Sequence, residues 1–148
     1  MHEPAPETIA AWTSLACASR AMLERVEAAL KRAGFPPLGW YDALLEIEKS
    51  DPEGIRPFAL KERLLLPQYS TSRLLERIAG AGLIERSGCA QDRRGQVVQI
   101  TEKGRATRRA MWPVYAAELN ATIGARLDPG EAAELARLLR KIRGGGGK

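Results

Sequence analysis

Residues 70–104 constrain the fold of this chain more than any other segment, because a helix signal is followed there by a hairpin signal. The segment reads STSRLLERIAGAGLIERSGCAQDRRGQVVQITEKG. Its first apolar residues recur at helical spacing and are Leu74, Leu75 and Ile78. Ser70 is suited to accept a hydrogen bond from the first turn, and Gly82 to take the left-handed conformation that ends a helix. The pattern predicts a short amphipathic helix between Ser70 and Gly82.

A β-hairpin is predicted to follow this helix. Residues 83–86 begin a strand, and the β-branched residues within 97–100 supply the return strand. Residues 87–96 between them are almost entirely polar and hold two arginines. Thr101 is then a candidate N-cap for another helix, with an acidic residue in its first turn. Helix, strand, charged loop, strand and helix start follow one another in the order of a winged helix.

Helical periodicity also appears on both sides of this segment. Five further helices are predicted at residues 7–33, 38–49, 58–65, 102–126 and 128–143. Gly34 is expected to end the first of them, Pro67 the third, and Pro113 to bend the fourth. The predicted fold class is therefore mainly α with a small β-hairpin wing, and residues 66–69 form the turn of a helix-turn-helix.

The net charge of +5 is unevenly distributed along the chain. Residues 1–55 carry −4, residues 56–109 carry +7 and residues 110–148 carry +2. A positive field over the middle segment attracts phosphate and makes binding sensitive to salt. Two arginines in a polar loop are commonly only a solvated surface. Their position after a helix rich in serine, threonine and arginine favours double-stranded DNA as the partner.

These stretches resemble the MarR family of bacterial transcription regulators. The resemblance is carried by residues 70–77, 81–86, 92–94 and 98–104. It implies a homodimeric winged helix-turn-helix repressor, often relieved by a small ligand or an oxidant. The length predicts a single domain over residues 1–148, with a DNA-binding lobe at 38–104 and dimerisation helices at 7–34 and 102–143, and the glycine run predicts a flexible tail at 144–148.

Ten residues are the predicted DNA contacts. They are Gln68, Tyr69, Ser70, Thr71, Ser72, Arg73, Arg77, Asp92, Arg93 and Arg94. The helix residues are expected to face the major groove and nearby phosphates, and the wing arginines the minor groove, with Asp92 orienting Arg94. Arg77 is equally suited to an ion pair with Glu76 or with the wing. A two-fold axis would set two such helices about 34 Å apart on a pseudo-palindromic operator.

An effector pocket is the second expectation that the resemblance implies, between the DNA-binding lobe and the dimerisation helices. The candidate wall residues are Trp12, Trp40, Tyr41 and Tyr69, although aromatic residues at such positions are often simply core. Their rings suit a phenolic or aromatic carboxylate ligand, with Arg20 or His2 as anion partners.

The two cysteines leave a thiol-based redox-sensing regulator as an alternative. Cys17 does not fall at the position equivalent to the reactive cysteine of the oxidant-sensing branch of the family. It is therefore predicted to be a small packed residue, and Cys89 an exposed thiol of the wing.

Other classes of function find little support in the sequence. Neither a paired-cysteine motif nor a phosphate-binding glycine loop is present, so no enzyme, cofactor or metal is expected. The chain also lacks an apolar run of about 20 residues, so it is expected to be cytoplasmic rather than bound to a membrane. A winged helix used for protein–protein contact remains the other alternative, against which the concentrated positive charge argues.

Overall fold

The computed structural model describes residues 2–88 and 95–144, which contain six α-helices and one antiparallel hairpin. The helices are α1 (Pro6–Arg32), α2 (Leu38–Lys49), α3 (Pro57–Arg63), α4 (Thr71–Gly80), α5 (Glu102–Leu119) and α6 (Pro129–Ile142). The strands are β1 (Ile84–Ser87) and β2 (Val97–Ile100). A π-helical turn, Asn120–Gly124, extends α5. The predicted fold class, mainly α with a small hairpin, is confirmed.

The chain divides into two compact units. We call Glu27–Val114 the lobe, and Met1–Val26 together with Tyr115–Lys148 the terminal unit. The lobe contains α2, α3, α4 and the hairpin, whereas α1 and α5 each contribute to both units. None of the helices in the described segments has the length and apolar character needed to cross a membrane.

A single buried cluster of aliphatic side chains holds the lobe together. Its members are Ala43, Leu44, Ile47, Ile55, Leu60, Leu74, Leu75, Ile78, Leu83, Ile84, Val98 and Ile100. The predicted apolar stripe of α4 is thus buried in this core. The strands pair with Ile84 opposite Ile100, and Ile55 exchanges two backbone hydrogen bonds with Val98 of β2. Helix α4 and the hairpin therefore pack on the same hydrophobic core.

Several boundaries differ from the prediction, including the helix predicted at 102–126, which is α-helical to Leu119 and π-helical over Asn120–Gly124, and two of the differences have a visible cause. The third helix ends at Arg63 rather than at residue 65, because Leu64 already has an extended conformation and the Leu66 N–H bonds to the Asp42 carboxylate on α2. The first strand begins at Ile84 rather than at residue 83, because the Leu83 N–H still bonds to a carbonyl of α4. The contact with Asp42 is long-range and is not visible in local sequence patterns, whereas the start of β1 depends on a bond between residues five positions apart.

The start of α5 is tied to the end of α4. Thr101 Oγ1 accepts the Gly104 N–H at 3.0 Å, which confirms the predicted N-cap. The same hydroxyl donates to the Gly82 carbonyl at 2.7 Å, and the Thr101 N–H bonds to the Leu83 carbonyl at 3.1 Å. Lys103 Nζ donates to the Ala81 carbonyl at 2.9 Å. The segment after the hairpin therefore satisfies carbonyl groups at the end of α4.

Candidate nucleic-acid interface

The sequence of α4 determines which of its side chains are presented to solvent. Ser70 precedes the helix in an extended conformation, and its Oγ accepts the Arg73 N–H at 3.2 Å, which confirms the predicted N-cap. Because the apolar stripe faces the lobe core, the polar side chains of the other face are exposed. They are Ser72, Arg73, Glu76 and Arg77. A short hydroxyl and two guanidinium groups on one exposed helix surface suit contacts to base edges and phosphates.

Removal of the N-cap should destabilise α4. We expect Ser70→Ala to lower the free energy of unfolding by about 1 kcal/mol, because the Arg73 N–H loses its acceptor. Ser72→Ala is the matched control, since Ser72 is exposed at the second position of the helix and its substitution should change stability little. Urea unfolding at one protein concentration measures both. Equal losses for the two variants would contradict a capping role for Ser70.

Three predicted contact residues at the start of α4 are less accessible than the others, namely Gln68, the N-cap Ser70 and Thr71. Thr71 is half-buried, and its Oγ1 is enclosed without a hydrogen-bond partner. Gln68 is also half-buried, and its side-chain amide packs against Gly39 of α2. In contrast, the Tyr69 side chain is fully exposed. Tyr69 is therefore accessible together with the exposed surface of α4. The polar groups of Thr71 and Gln68 are instead turned towards the rest of the lobe.

The first strand of the hairpin carries a further exposed cation. Arg86 on β1 is exposed, a cation that the sequence analysis did not select as a contact. Strand alternation could not have identified it, because Arg86 lies on the same face of β1 as the buried Ile84, two residues earlier. The predicted wing contacts Asp92, Arg93 and Arg94 lie outside the described residues, as does Cys89.

The four aromatic residues proposed to line a pocket lie in different surroundings. Trp12 is 67% exposed in the terminal unit, where it borders an open groove of about 550 Å³ together with Arg20. Trp40 is half-buried against the lobe core. Tyr69 is exposed beside α4, as described above. A ligand pocket involving these residues stays a prediction.

Tyr41, the fourth aromatic candidate, takes part in the packing of α2 against α5. Its ring is 6% exposed and stacks on Trp112 with the ring centroids 6.1 Å apart. The guanidinium carbon of Arg108 lies 5.9 Å from the centroid of the Tyr41 ring, and Arg108 also pairs with Glu48 of α2. The hydrogen bond to Glu48 raises the pKa of Arg108 above its already high value, so this guanidinium stays charged. These contacts fix α2 to α5 within the lobe.

The prediction for Cys17 is wrong. Its side chain is exposed on α1 instead of packed, because the terminal unit leaves most of this part of α1 uncovered. Helical spacing alone could not reveal this, since a small residue between apolar neighbours fits a buried and an exposed face equally well.

Comparisons with known proteins find similarity to one family of regulators. Residues 33–95 match the family model described as MarR family. AbsC, a MarR family transcriptional regulator from Streptomyces coelicolor, is 26% identical with a TM-score of 0.77, over 97% of this chain and 96% of AbsC. No curated protein matches the chain.

Two further solved structures share the fold at lower identity. Sco3205 from Streptomyces coelicolor, a MarR family transcriptional regulator in complex with DNA, is 21% identical with a TM-score of 0.85, over 98% of this chain and 91% of Sco3205. BpsR from Bordetella bronchiseptica, whose DNA binding is regulated by 6-hydroxynicotinic acid, is 22% identical with a TM-score of 0.72, over 87% and 89% of the two chains.

Proposed function

We propose that this chain, which matches the MarR family model over residues 33–95, is a homodimeric repressor that binds a pseudo-palindromic operator. The observation that carries this proposal is the surface of α4, which presents serine and arginine side chains directly ahead of the hairpin. Both elements lie in the segment with a net charge of +7. The complex of Sco3205 with DNA supports the same role for this fold.

The exposed side chains divide into base-reading and phosphate-binding groups. Arg73 and Ser72 in the first turn of α4 read base edges in the major groove, and Tyr69 contacts the adjoining phosphate or base. Arg77 contacts phosphate one turn further along the helix. The wing arginines, Arg93 and Arg94, bind in or along the minor groove, and Asp92 orients Arg94. Phosphate contacts fix the register, while the helix supplies the sequence preference.

Dimerisation is proposed to occur through the terminal unit. Six large apolar side chains among its described residues are more than a third exposed, namely Ile9, Trp12, Leu23, Leu135, Leu138 and Ile142. Monomeric proteins rarely leave so many large apolar side chains exposed in one compact unit. A second copy of the same unit is the partner that would cover them by two-fold symmetry.

Control of the DNA affinity by a small ligand is the remaining part of the proposal. BpsR provides the precedent, because its DNA binding responds to 6-hydroxynicotinic acid, a small aromatic acid. The groove that Trp12 and Arg20 border offers an aromatic ring and a cation to a ligand of that class. A screen for release of bound DNA by small phenols and aromatic carboxylates tests this part independently.

One experiment tests the core of the proposed function. Duplexes bound by the purified protein are selected from a random pool, and light scattering then gives the mass of each complex. We expect two inverted half-sites about one helical turn apart, two protein chains per duplex and a steep decrease in affinity with salt. Failure to select any sequence, or binding that does not respond to salt, would overturn the proposal and favour a protein–protein role.

The wing contributes a separate, measurable cation. We expect Arg94→Ala to reduce the slope of log affinity against log salt by about 1 for each phosphate contact that is lost. Lys31→Ala is a matched control, because Lys31 is exposed near the end of α1 and outside the proposed interface. An unchanged slope and affinity for the Arg94 variant would remove this side chain from the interface.

A further inference from the structure

One face of α2 holds the turn that precedes α4. The Asp42 side chain is 5% exposed, and its Oδ2 accepts the Leu66 N–H at 2.9 Å. Gly39 lies three residues earlier on the same helix face. A Cβ atom on Gly39 would come within 2.7 Å of Gln68 Nε2, so the glycine leaves the space that the Gln68 amide occupies. We call Gly39 and Asp42 together the turn cradle.

The conformation of the turn explains why it needs an outside partner. Leu64 leaves the helical conformation, and the chain reaches the N-cap Ser70 in an extended conformation. The Leu66 N–H therefore relies on the Asp42 carboxylate as its acceptor. A buried carboxylate is costly unless it is hydrogen-bonded, so the two groups stabilise each other. This pairing links α2 to a point four residues before the N-cap of α4.

From these contacts we propose that the turn cradle positions the N-terminus of α4 for reading DNA, with Gln68 as a positioning residue rather than a DNA contact. The inference rests on the proposed function of α4 as a recognition helix. A functional surface must be held to within about 0.5 Å to keep its contacts. A shift of residues 66–68 would displace Tyr69 and Arg73, which lie on the exposed surface beyond the turn.

Substitutions at Asp42 test the cradle through DNA specificity. We expect Asp42→Ala to reduce the ratio of operator affinity to random-duplex affinity about tenfold, because the unpaired Leu66 N–H frees the turn. Asp42→Asn keeps an oxygen acceptor and should retain the ratio within about threefold. A merely structural role would reduce the folded fraction and lower both affinities together, leaving their ratio unchanged. An unchanged ratio in folded Asp42→Ala protein overturns the proposal.

A second pair of substitutions tests the cradle if Asp42→Ala does not fold. We expect Gly39→Ala to displace the Gln68 amide and lower the same ratio several-fold. Adding Gln68→Ala removes the atoms that clash, so the double variant should recover to the smaller loss of Gln68→Ala alone, which lacks only the packing of the amide. Lack of any loss in Gly39→Ala, or lack of recovery in the double variant, overturns the proposal. If Gln68→Ala alone reduces the salt slope of binding by about 1, Gln68 contacts phosphate and its assignment as a positioning residue is wrong.

The test separates failure of this inference from failure of the proposed function. If the wild-type protein selects no DNA sequence, the proposed function fails. Hydrogen exchange at the Leu66 amide then still tests the cradle, with protection expected in the wild type and lost in Asp42→Ala. An amide that exchanges equally fast in both proteins contradicts the cradle whatever the DNA result.

Discussion

Gly104→Ala should lower the free energy of unfolding by about 3 kcal/mol, one of the two largest effects we expect from a single substitution in this chain. A Cβ atom at position 104 would lie 2.1 Å from the Leu83 carbonyl oxygen and 2.8 Å from Ile100 Cγ1. The first of these neighbours is backbone, so no change of rotamer relieves the contact. The Leu83 carbonyl also accepts the Thr101 N–H, and its displacement would break the link between α4 and α5.

The matched control for this substitution is Gly80→Ala. Gly80 lies at the end of α4, and a Cβ atom there would have no neighbour within 4 Å. Alanine should therefore raise stability slightly, by about 0.5 kcal/mol, through its higher helix propensity. Denaturant unfolding at one fixed protein concentration compares both variants, because the midpoint of a dimer depends on concentration. A loss below about 1 kcal/mol for Gly104→Ala would contradict the close approach of Leu83.

The sequence predicted those elements whose signals are local. The apolar stripe of α4, the Ser70 and Thr101 caps and the capping box of Asp128 with Glu131 each involve residues three or four positions apart. Such spacings are fixed by helix geometry, so they can be recognised without knowing the rest of the fold. The structure also explains why residues 98–104 form a recognisable motif. Thr101 and Gly104 within it join the start of α5 to the end of α4.

The remaining features depend on contacts between residues far apart in sequence. Gln68 has the composition of a DNA contact, yet it packs against Gly39, which lies 29 positions earlier. Thr71 is the first residue of α4, but its hydroxyl is enclosed and not exposed to solvent. Cys17 is exposed because no other element of the terminal unit covers its side of α1. Each outcome depends on which surface a neighbouring element covers, and helical periodicity does not specify that neighbour.

Arg73→Ala should reduce operator affinity about 100-fold, the largest functional effect that we expect from one substitution. Arg73 is exposed in the first turn of α4, while its backbone N–H is fixed by Ser70 Oγ. A guanidinium that bonds to a guanine edge contributes about 1–3 kcal/mol of discrimination. The proposed homodimer would lose two such contacts at once, so about 1.4 kcal/mol for each contact gives about 100-fold. Titration of the selected operator with wild-type and variant protein measures the change.

The affinity of Arg73→Ala for random duplex shows whether Arg73 contacts a base or a phosphate. If its side chain reads a base edge, affinity for random duplex should decrease much less than affinity for the operator, and discrimination at one position of each half-site should relax. Arg32→Ala provides the control for charge alone, because Arg32 is exposed at the end of α1. Equal losses on operator and random duplex, with a smaller salt slope, would instead identify Arg73 as a phosphate contact. Base reading would then have to come from Ser72, Tyr69 or the wing, and the proposed roles on α4 would be reversed.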